Sequence, residues 1–274
     1  DASVDDSQLV LRVIMDGIRQ GGAALNYAGI VGFSRSKSGQ VEGVIVRDQT
    51  GQLDPPHLEL RGNVVINATG PWSDDLRSRI NAPARLRRLR GSHLIFPADK
   101  LPIQTAVTMV HPRDNRALFA IPWENRIMIG TTDLDHSETE DETRISASEV
   151  AYLMEATQYI FPDAAVSEDD IISTFSGLRP VINTGAPTPG EESRAHQIWE
   201  EDGLVTVSGG KLTIFQVMAA DVLNACRHRL PSEPAFSHKL NPFIHPRPQT
   251  QSELNNPTWQ MMAGRLGRDV KPFF

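Results

Sequence analysis

The stretch Val207-Ser-Gly-Gly-Lys-Leu-Thr-Ile-Phe-Gln216 (VSGGKLTIFQ) changes from a strand pattern to a helix pattern around two glycines and a lysine. Glycines let a backbone approach a ligand closely, and the first turn of a helix offers unpaired N–H groups and a partial positive charge. The turn is therefore suited to an electron-rich oxygen. A tight turn that binds nothing would need the same glycines, so both interpretations stay open here.

Composition restricts the class of protein. With 274 residues, 39% of them hydrophobic, the chain can form one large domain or two modest ones with proper cores. The formal net charge of −7 argues against a broad surface for nucleic acid or anionic membrane, so an anionic ligand needs a local basic pocket. The one cysteine, Cys226, excludes an internal disulfide and is expected to be a plain thiol in a helix.

The first part of the chain reads as a helix followed by strands. Apolar residues on one face predict a helix that includes Leu9 to Ile18 and ends at Gly21-Gly22. Residues 23–35 and 41–48, rich in Val and Ile, predict a hairpin of two strands.

An uncharged run at 64–68 precedes Thr69-Gly70 and Pro71. A short apolar run that ends in a glycine, with a proline-started helix behind it, is typical of a buried parallel strand that ends at a ligand crevice. An ordinary strand-to-helix connection has the same pattern, so this also stays open.

From Arg85 onward the pattern becomes a series of strands bounded by Pro, Asp or Asn, which predicts an antiparallel sheet. The first of these strands are SHLIFP, QTAVTMVH, RALFAIPW and NRIMIGTTD, and residues 170–179 and 196–200 are predicted to extend the same sheet. Ser146 and Glu149 form a capping box that opens a helix reaching Phe161. The arginine cluster is interpreted as a solvated basic turn able to steer an anion; it comprises Arg85, Arg87, Arg88 and Arg90.

Residues 231–257 are rich in proline and predict a linker, after which residues 258–266 predict the start of a helix. The histidines are scattered and there is no Cys-x-x-Cys, so no metal site is expected.

Five segments taken together, VVINATGPW, RGSHLIFP, AIPWENRIMIGTTD, FSGLRPV and VSGGKLT, resemble the FAD-dependent glycerol-3-phosphate dehydrogenases, within the flavoenzyme class related to D-amino-acid oxidase. The resemblance covers about residues 1–226. It implies an α/β (α+β) fold in which an incomplete FAD/NAD(P)-binding-type domain, 1–80 with 201–230, combines with a mainly antiparallel substrate-binding domain at 81–200. Residues 231–274 would be a linker and the start of a helical domain.

Two departures from the family pattern affect what is expected of this chain. The family continues past GGKLT with Thr-Tyr-Arg, whereas Ile214, Phe215 and Gln216 stand here, which leaves the substrate open. The G-x-G-x-x-G turn that holds the FAD pyrophosphate is missing. We therefore expect a piece that lacks the amino-terminal FAD-binding segment, binds FAD weakly or not at all and is inactive alone.

The resemblance assigns three catalytic residues. Lys211 would stabilise negative charge that develops near the flavin; Arg179 would hold an anionic group of the substrate in its planar fork; His93 would accept the proton of the substrate hydroxyl. Each has a plain alternative: a surface lysine at a turn, an arginine paired with a nearby acid, and a core histidine.

The remaining site residues are also implied by the resemblance. Thr132 and Asp133, with Thr131, would orient substrate or line the flavin cavity, although a strand-end turn would use the same residues. FAD would be contacted by small or polar residues at strand ends and by the backbone of one strand; these are Val31, Asn67, Thr69, Gly70, Trp72, Gly209, Gly210, Lys211, Leu212 and Thr213.

The function implied is oxidation of sn-glycerol 3-phosphate to dihydroxyacetone phosphate, with FAD taking the hydride and a quinone taking the electrons. The alternatives are an FAD-dependent oxidase of a hydroxy or amino acid, and a non-catalytic oligomerisation module. The expected partners are a small anionic molecule and a quinone, without nucleic acid. A homodimer and a cytoplasmic location, with peripheral contact to the inner face of the membrane, are compatible with the resemblance.

Overall fold

A computed structural model describes residues 5–137 and 143–231. The linker and helix predicted at 231–257 and 258–266 lie outside the described residues, apart from Pro231. Contacts divide the described part of the chain into two compact units, residues 5–31 with 46–58, and residues 32–45 with 59–231. The predicted FAD-binding and substrate-binding domains stay predictions.

The described residues form helices and strands close to those predicted. The helices are α1 (Asp6–Arg19), α2 (Ser73–Ser78), α3 (Ala147–Ile160) and α4 (Phe215–Ala225). The strands are β1 (Ala28–Arg35), β2 (Val41–Asp48), β3 (His57–Arg61), β4 (Val65–Asn67), β5 (Leu86–Pro97), β6 (Val107–Val110), β7 (Ala117–Trp123), β8 (Arg126–Gly130), β9 (Leu134–Asp135), β10 (Ser173–Ile182), β11 (Gln197–Glu201) and β12 (Leu204–Ser208).

The first unit contains α1, whose N-cap Asp5 accepts a hydrogen bond from the backbone of Gln8 at 3.0 Å. Strands β1, β2 and β3 form a sheet in that order, and the boundaries between the units pass through all three strands. The prediction for β2 is confirmed at both ends. β1 begins at Ala28 rather than residue 23 because Tyr27 has a left-handed backbone (φ 53°), which interrupts an extended chain.

The second unit contains the predicted antiparallel sheet. Its strand order is β10-β5-β8-β7-β6, β9 pairs with β5, and each of these pairings is antiparallel. The mixed fold class and the mainly antiparallel sheet are thus confirmed.

One face of this sheet carries the core. Side chains from alternate positions of β5, β7 and β8 pack against α3; they include Leu94, Phe96, Leu118 and Ile129 on the strands, with Leu153 on the helix. The capping box that opens α3 is confirmed. Because side chains alternate between the faces of a strand, the intervening residues lie on the opposite face, and that face carries the site described below.

A smaller sheet has the order β11-β12-β4, with β11 antiparallel and β4 parallel to β12. The prediction that residues 196–200 extend the large sheet is therefore wrong. The turn at Asp202-Gly203 has positive φ at both positions (47° and 90°), which makes β11 and β12 a tight hairpin. The large sheet consequently ends at β10 on this side.

The four arginines between residues 85 and 90 do not form the solvated turn that was predicted. Arg87, Arg88 and Arg90 lie in β5, and Arg85 immediately precedes it. Each of the four side chains has an acidic partner within 3.3 Å; the pairs are Arg85–Glu201, Arg87–Asp135, Arg88–Asp75 and Arg90–Glu149. Their charges therefore hold the second unit together instead of facing an incoming anion.

Candidate active site

Two loops leave the same edge of the small sheet. β4 and β12 run parallel, with Asn67 opposite Thr206, so their carboxyl ends lie side by side. Thr69-Gly70 follows β4 and Gly209-Gly210 follows β12. The parallel strand predicted from the apolar run is confirmed, and this edge is where open α/β sheets bind ligands.

Asn67 shapes the first loop from inside. Its side chain is buried and donates to the carbonyl of Ser73 at 3.0 Å, while its Oδ1 accepts from the Thr69 hydroxyl at 2.7 Å. The loop itself is open, because Thr69 is exposed and the Trp72 side chain is 59% exposed. Asn67 is thus placed to set the loop's shape, and Thr69, Gly70 and Trp72 are placed to meet a ligand.

The second loop needs both of its glycines. Gly209 and Gly210 have φ of 78° and 76°, a backbone region that disfavours other residues. A Cβ on Gly209 would lie 2.6 Å from the Ala195 carbonyl oxygen, and one on Gly210 would lie 2.6 Å from Met218 Sδ. The turn is therefore fixed by its own backbone and its neighbours.

The residues after the glycines differ slightly from the predicted helix start. Lys211 is exposed and extended, and Leu212–Ile214 form a 3₁₀ turn, with Thr213 exposed, before α4 begins at Phe215. The chain thus carries an exposed ammonium group beside the two glycines.

His93 lies on the open face of the large sheet. Its ring stacks on Phe175 with 4.5 Å between centroids, and it packs against Gly130, which faces it on β8. Burial, with a smaller contribution from the positive charge of Arg179, lowers the pKa of His93 to about 4. Its Nδ1 is buried and has no hydrogen-bond partner among the described residues.

The surroundings of His93 are apolar yet open. Phe175 and Phe119, in the same cross-strand row, are 46% and 45% exposed. Gly177, two residues along β10, has open space where a side chain would be. Half-exposed aromatic side chains beside an unpartnered histidine make a surface suited to a flat ligand and a small substrate.

Three arginines converge on Asp133 near this surface. Asp133 Oδ1 accepts from Arg179 at 2.8 Å, and its Oδ2 lies 2.9 Å from Arg116 and 3.0 Å from Arg194. The Asp133 side chain is fully buried, whereas the three arginine side chains keep between 28% and 39% exposure. We call these four residues the arginine cluster of Asp133.

Arg179 connects this cluster to the open face. It also donates to the Thr131 hydroxyl at 3.1 Å, and Gly91 on β5 leaves the room that its guanidinium occupies. Burial lowers the pKa of Arg179, and the positive charges of Arg194 and Arg116 act in the same direction against the attraction of Asp133. Arg179 therefore pairs with an acid, as the plain alternative predicts, and its side chain is also partly exposed.

Thr132 belongs to the other face. Its hydroxyl donates to Glu149 at 2.7 Å and accepts from the Ser92 backbone at 2.9 Å, and it is buried. Thr131, in contrast, faces Arg179. A role for Thr132 in substrate binding stays a prediction, and the structure shows it joining β8 to α3.

A short segment links the glycine turn to the arginine cluster of Asp133. The Ala195 carbonyl packs on Gly209, and the preceding residue, Arg194, binds Asp133. Sequence reasoning missed Arg194 and Arg116 because each lies outside the quoted motifs or at a strand's edge, where periodicity carries no signal. Only the fold brings them to Asp133.

Val31 lies in β1, in the first unit, and is described apart from the other site residues. Its predicted contact with adenine stays a prediction.

Within 5–137 and 143–231, no group of His, Cys, Asp and Glu side chains is arranged to hold a metal ion. Over the same ranges, the helices are all too short or too polar to cross a membrane.

Comparison with known proteins gives a consistent result. The family model described as FAD dependent oxidoreductase matches residues 1–220. The aerobic glycerol-3-phosphate dehydrogenase of Staphylococcus aureus (strain USA300) is 35% identical over 229 residues, which are 82% of this chain and 41% of that protein. The chain thus spans about two fifths of the length of the curated relatives it matches.

Solved structures agree. A glycerol-3-phosphate dehydrogenase from Bacillus halodurans, complexed with FAD, superposes with a TM-score of 0.75 at 30% identity, covering 85% of this chain and 45% of that one. An iminodiacetate oxidase from Chelativorans shares the fold alone, with a TM-score of 0.55 at 16% identity, covering 82% of this chain and 56% of that one. The chain belongs to the family of FAD-dependent oxidoreductases.

Proposed function

We propose that the full-length protein containing this chain oxidises sn-glycerol 3-phosphate to dihydroxyacetone phosphate with FAD as its cofactor, and that this chain alone is inactive. Two relatives named as glycerol-3-phosphate dehydrogenases support the substrate, and one of them is complexed with FAD. The observation that carries the proposal is the arginine cluster of Asp133, which lies next to the histidine-bearing open face.

The charge of the cluster favours a phosphate over a carboxylate. Three guanidinium groups around one carboxylate leave two positive charges in excess, which matches a phosphate group of about −1.5 to −2 better than a carboxylate of −1. In a chain of net charge −7, such an excess is local. The partly exposed guanidinium groups of Arg179 and Arg194 can therefore take the phosphate oxygens.

We assign to His93 the role of accepting the proton of the substrate hydroxyl. A pKa of about 4 keeps the imidazole neutral at neutral pH, so it is ready to accept a proton. Because Nδ1 is buried, we assign the hydroxyl hydrogen to the imidazole ring without choosing between its nitrogens. A bound dianion beside Arg179 would raise this pKa, because it offsets the positive charge that now helps to lower it.

The residues present fit FAD. A glycine turn with left-handed backbone, an exposed tryptophan and half-exposed phenylalanines offer surfaces for an extended, flat cofactor. The residues that would hold it are Thr69, Gly70, Trp72, Gly209, Gly210, Lys211, Leu212 and Thr213. When bound, FAD supplies the hydride acceptor. Lys211 would then balance negative charge, and the phenylalanines would keep water from the reacting carbon.

For the electron acceptor we propose a quinone, reached by peripheral contact with the inner face of the membrane from the cytoplasm. The resemblance to glycerol-3-phosphate dehydrogenases supports this part. A reconstituted assay separates the acceptors: reduction of an added quinone at a rate matching substrate loss agrees with the proposal, and stoichiometric oxygen consumption without quinone reduction contradicts it.

The main competing function is an FAD-dependent oxidase of a hydroxy or amino acid. Gln216, a half-buried residue of α4, stands where the family has an arginine, and this lost charge favours it. A dye-linked assay of the FAD-loaded protein decides between them. We expect kcat/KM for glycerol 3-phosphate to exceed that for glycerol by about a hundredfold or more, because glycerol leaves the arginines unpaired. Higher activity on an amino acid would establish the competitor.

A further inference from the structure

We propose that Asp133 is a positioning residue, which never touches the substrate and instead holds three arginines at the spacing that a dianion requires. This replaces the expectation that Asp133 binds substrate directly. It rests on the proposed function only in taking the anion as phosphate.

The geometry places Asp133 behind the arginines. Its side chain is fully buried, and both carboxylate oxygens are occupied by guanidinium groups at 2.8 to 3.0 Å. A substrate cannot reach a carboxylate that is covered in this way. The exposed parts of the cluster all belong to the arginines.

The three arginines come from separate parts of the second unit. Arg116 immediately precedes β7, Arg179 lies within β10, and Arg194 belongs to the loop before β11. Like charges repel, so these side chains would separate without a shared partner. Asp133, three residues beyond the end of β8, supplies that partner at a fixed point.

A second contact helps to keep Asp133 in place. The neighbouring Thr132 is tied by its hydroxyl to Glu149, the buried carboxylate at the start of α3. The Asp133 backbone is thus attached to the side of the sheet that carries the core, while its carboxylate reaches the arginines. This arrangement fixes a charged group with little freedom to move.

Positioning and charge balance predict opposite results when Asp133 loses its charge. Replacing Asp133 by Asn adds one positive charge to the site, and by attraction alone it should tighten phosphate binding. If Asp133 instead holds the arginines in register, the guanidinium groups separate and phosphate binds more weakly although the site is more positive. The sign of the change therefore decides between the roles.

The experiment measures binding of inorganic phosphate to the chain by calorimetry. We expect Asp133→Asn to weaken binding about tenfold or more. Asp133→Glu keeps the charge but moves the carboxylate by one methylene, and we expect it to weaken binding as well. The matched control is Asp135→Asn. Asp135 lies two residues after Asp133 and forms an ion pair with Arg87, so the variant removes the same charge from outside the arginine cluster of Asp133. Phosphate binding by this control should stay within about twofold of that by the unaltered chain.

In the FAD-loaded protein, the same Asp133 variants should raise KM for glycerol 3-phosphate more than they lower kcat. Unchanged or tighter phosphate binding by Asp133→Asn would overturn the positioning role and leave the proposed function in place, whatever Asp133→Glu does. If the unaltered chain itself fails to bind phosphate, the proposed anion site falls, and this inference falls with it. Thermal unfolding of each variant shows whether loss of binding reflects loss of fold.

Discussion

At the scale of single residues, His93 shows how burial sets chemistry. Its ordinary pKa of 6.5 is lowered to about 4 by burial and by the charge of Arg179. The unfolded chain therefore binds a proton between pH 6.5 and 4 that the folded chain does not. The same environment keeps the ring neutral for its proposed role as a base.

This difference predicts how stability depends on pH. As pH falls from 6.5 to 4, protonation favours the unfolded state, so His93 should lower the free energy of unfolding by up to about 3 kcal/mol. Urea unfolding at several pH values measures it. His93→Gln, which does not titrate, should flatten the profile over this interval relative to the unaltered chain.

His57→Gln is the control for that series, because His57 is an exposed histidine at the start of β3. It should leave the profile unchanged. Equal slopes for the unaltered chain and the His93 variant would mean that His93 is not protected from protonation in the fold.

Arg179 predicts a specific kinetic change. Arg179→Ala should raise KM for glycerol 3-phosphate about a hundredfold, and Arg179→Lys about tenfold, since lysine keeps the charge but lacks the planar fork. KM for uncharged glycerol should change little in either variant. Arg113→Ala removes an exposed arginine paired with Glu155 and serves as the control. An unchanged KM in Arg179→Ala would remove the assigned role.

At the scale of elements, Glu149 joins a helix to a sheet. Its buried carboxylate closes the capping box with Ser146 and accepts hydrogen bonds from Ser92 and Thr132. Burial alone would raise its pKa, but these hydrogen bonds outweigh it and the pKa lies below its ordinary value. Glu149 thus stabilises α3 and the end of β8 together.

Removing this carboxylate should be costly. Glu149→Ala leaves buried donors and the side chain of Arg90 without their acceptor, and we expect a loss of about 3 kcal/mol in the free energy of unfolding. Glu155→Ala, on the same helix but in an exposed pair, should cost about 1 kcal/mol or less. Equal losses measured by urea unfolding would show that the Glu149 network adds nothing.

The glycine turn gives a prediction about the cofactor. Gly209→Ala forces a Cβ into the Ala195 carbonyl at a positive φ, so we expect strain of about 1–3 kcal/mol and weaker FAD binding. Gly190→Ala, with open space around it, should change neither. Flavin fluorescence during titration of the full-length protein with FAD measures the affinity, and equal affinities for the two variants would argue against a cofactor role for the turn.

The individual helices and strands were easier to predict from the sequence than the pairing between strands. The capping box, β2 and the parallel β4 follow from local patterns, because caps and apolar runs act over a few residues. The pairing of β11 with β12 depends on the left-handed backbone at Asp202, which an Asp-Gly pair allows but does not require. The role of residues 196–200 was therefore predicted wrongly.

At the scale of the whole molecule, the site arises where separate segments converge. His93, Arg179 and the glycine turn were predicted as site residues from their motifs. The contribution of Arg116 and Arg194 was not, since they meet Asp133 only through strand order and a loop contact. Charge convergence of this kind is a property of the fold, and no local pattern encodes it.

The central claim is that this fold places a dianion beside a hydride acceptor. Its most direct test is anaerobic titration of the FAD-loaded full-length protein with glycerol 3-phosphate, followed by absorbance in the flavin bands. We predict that stoichiometric glycerol 3-phosphate bleaches the flavin of the unaltered protein. The flavin of the Arg179→Ala variant should bleach only at a far higher concentration of glycerol 3-phosphate. Flavin that stays oxidised with glycerol 3-phosphate but bleaches with an amino acid would contradict the account.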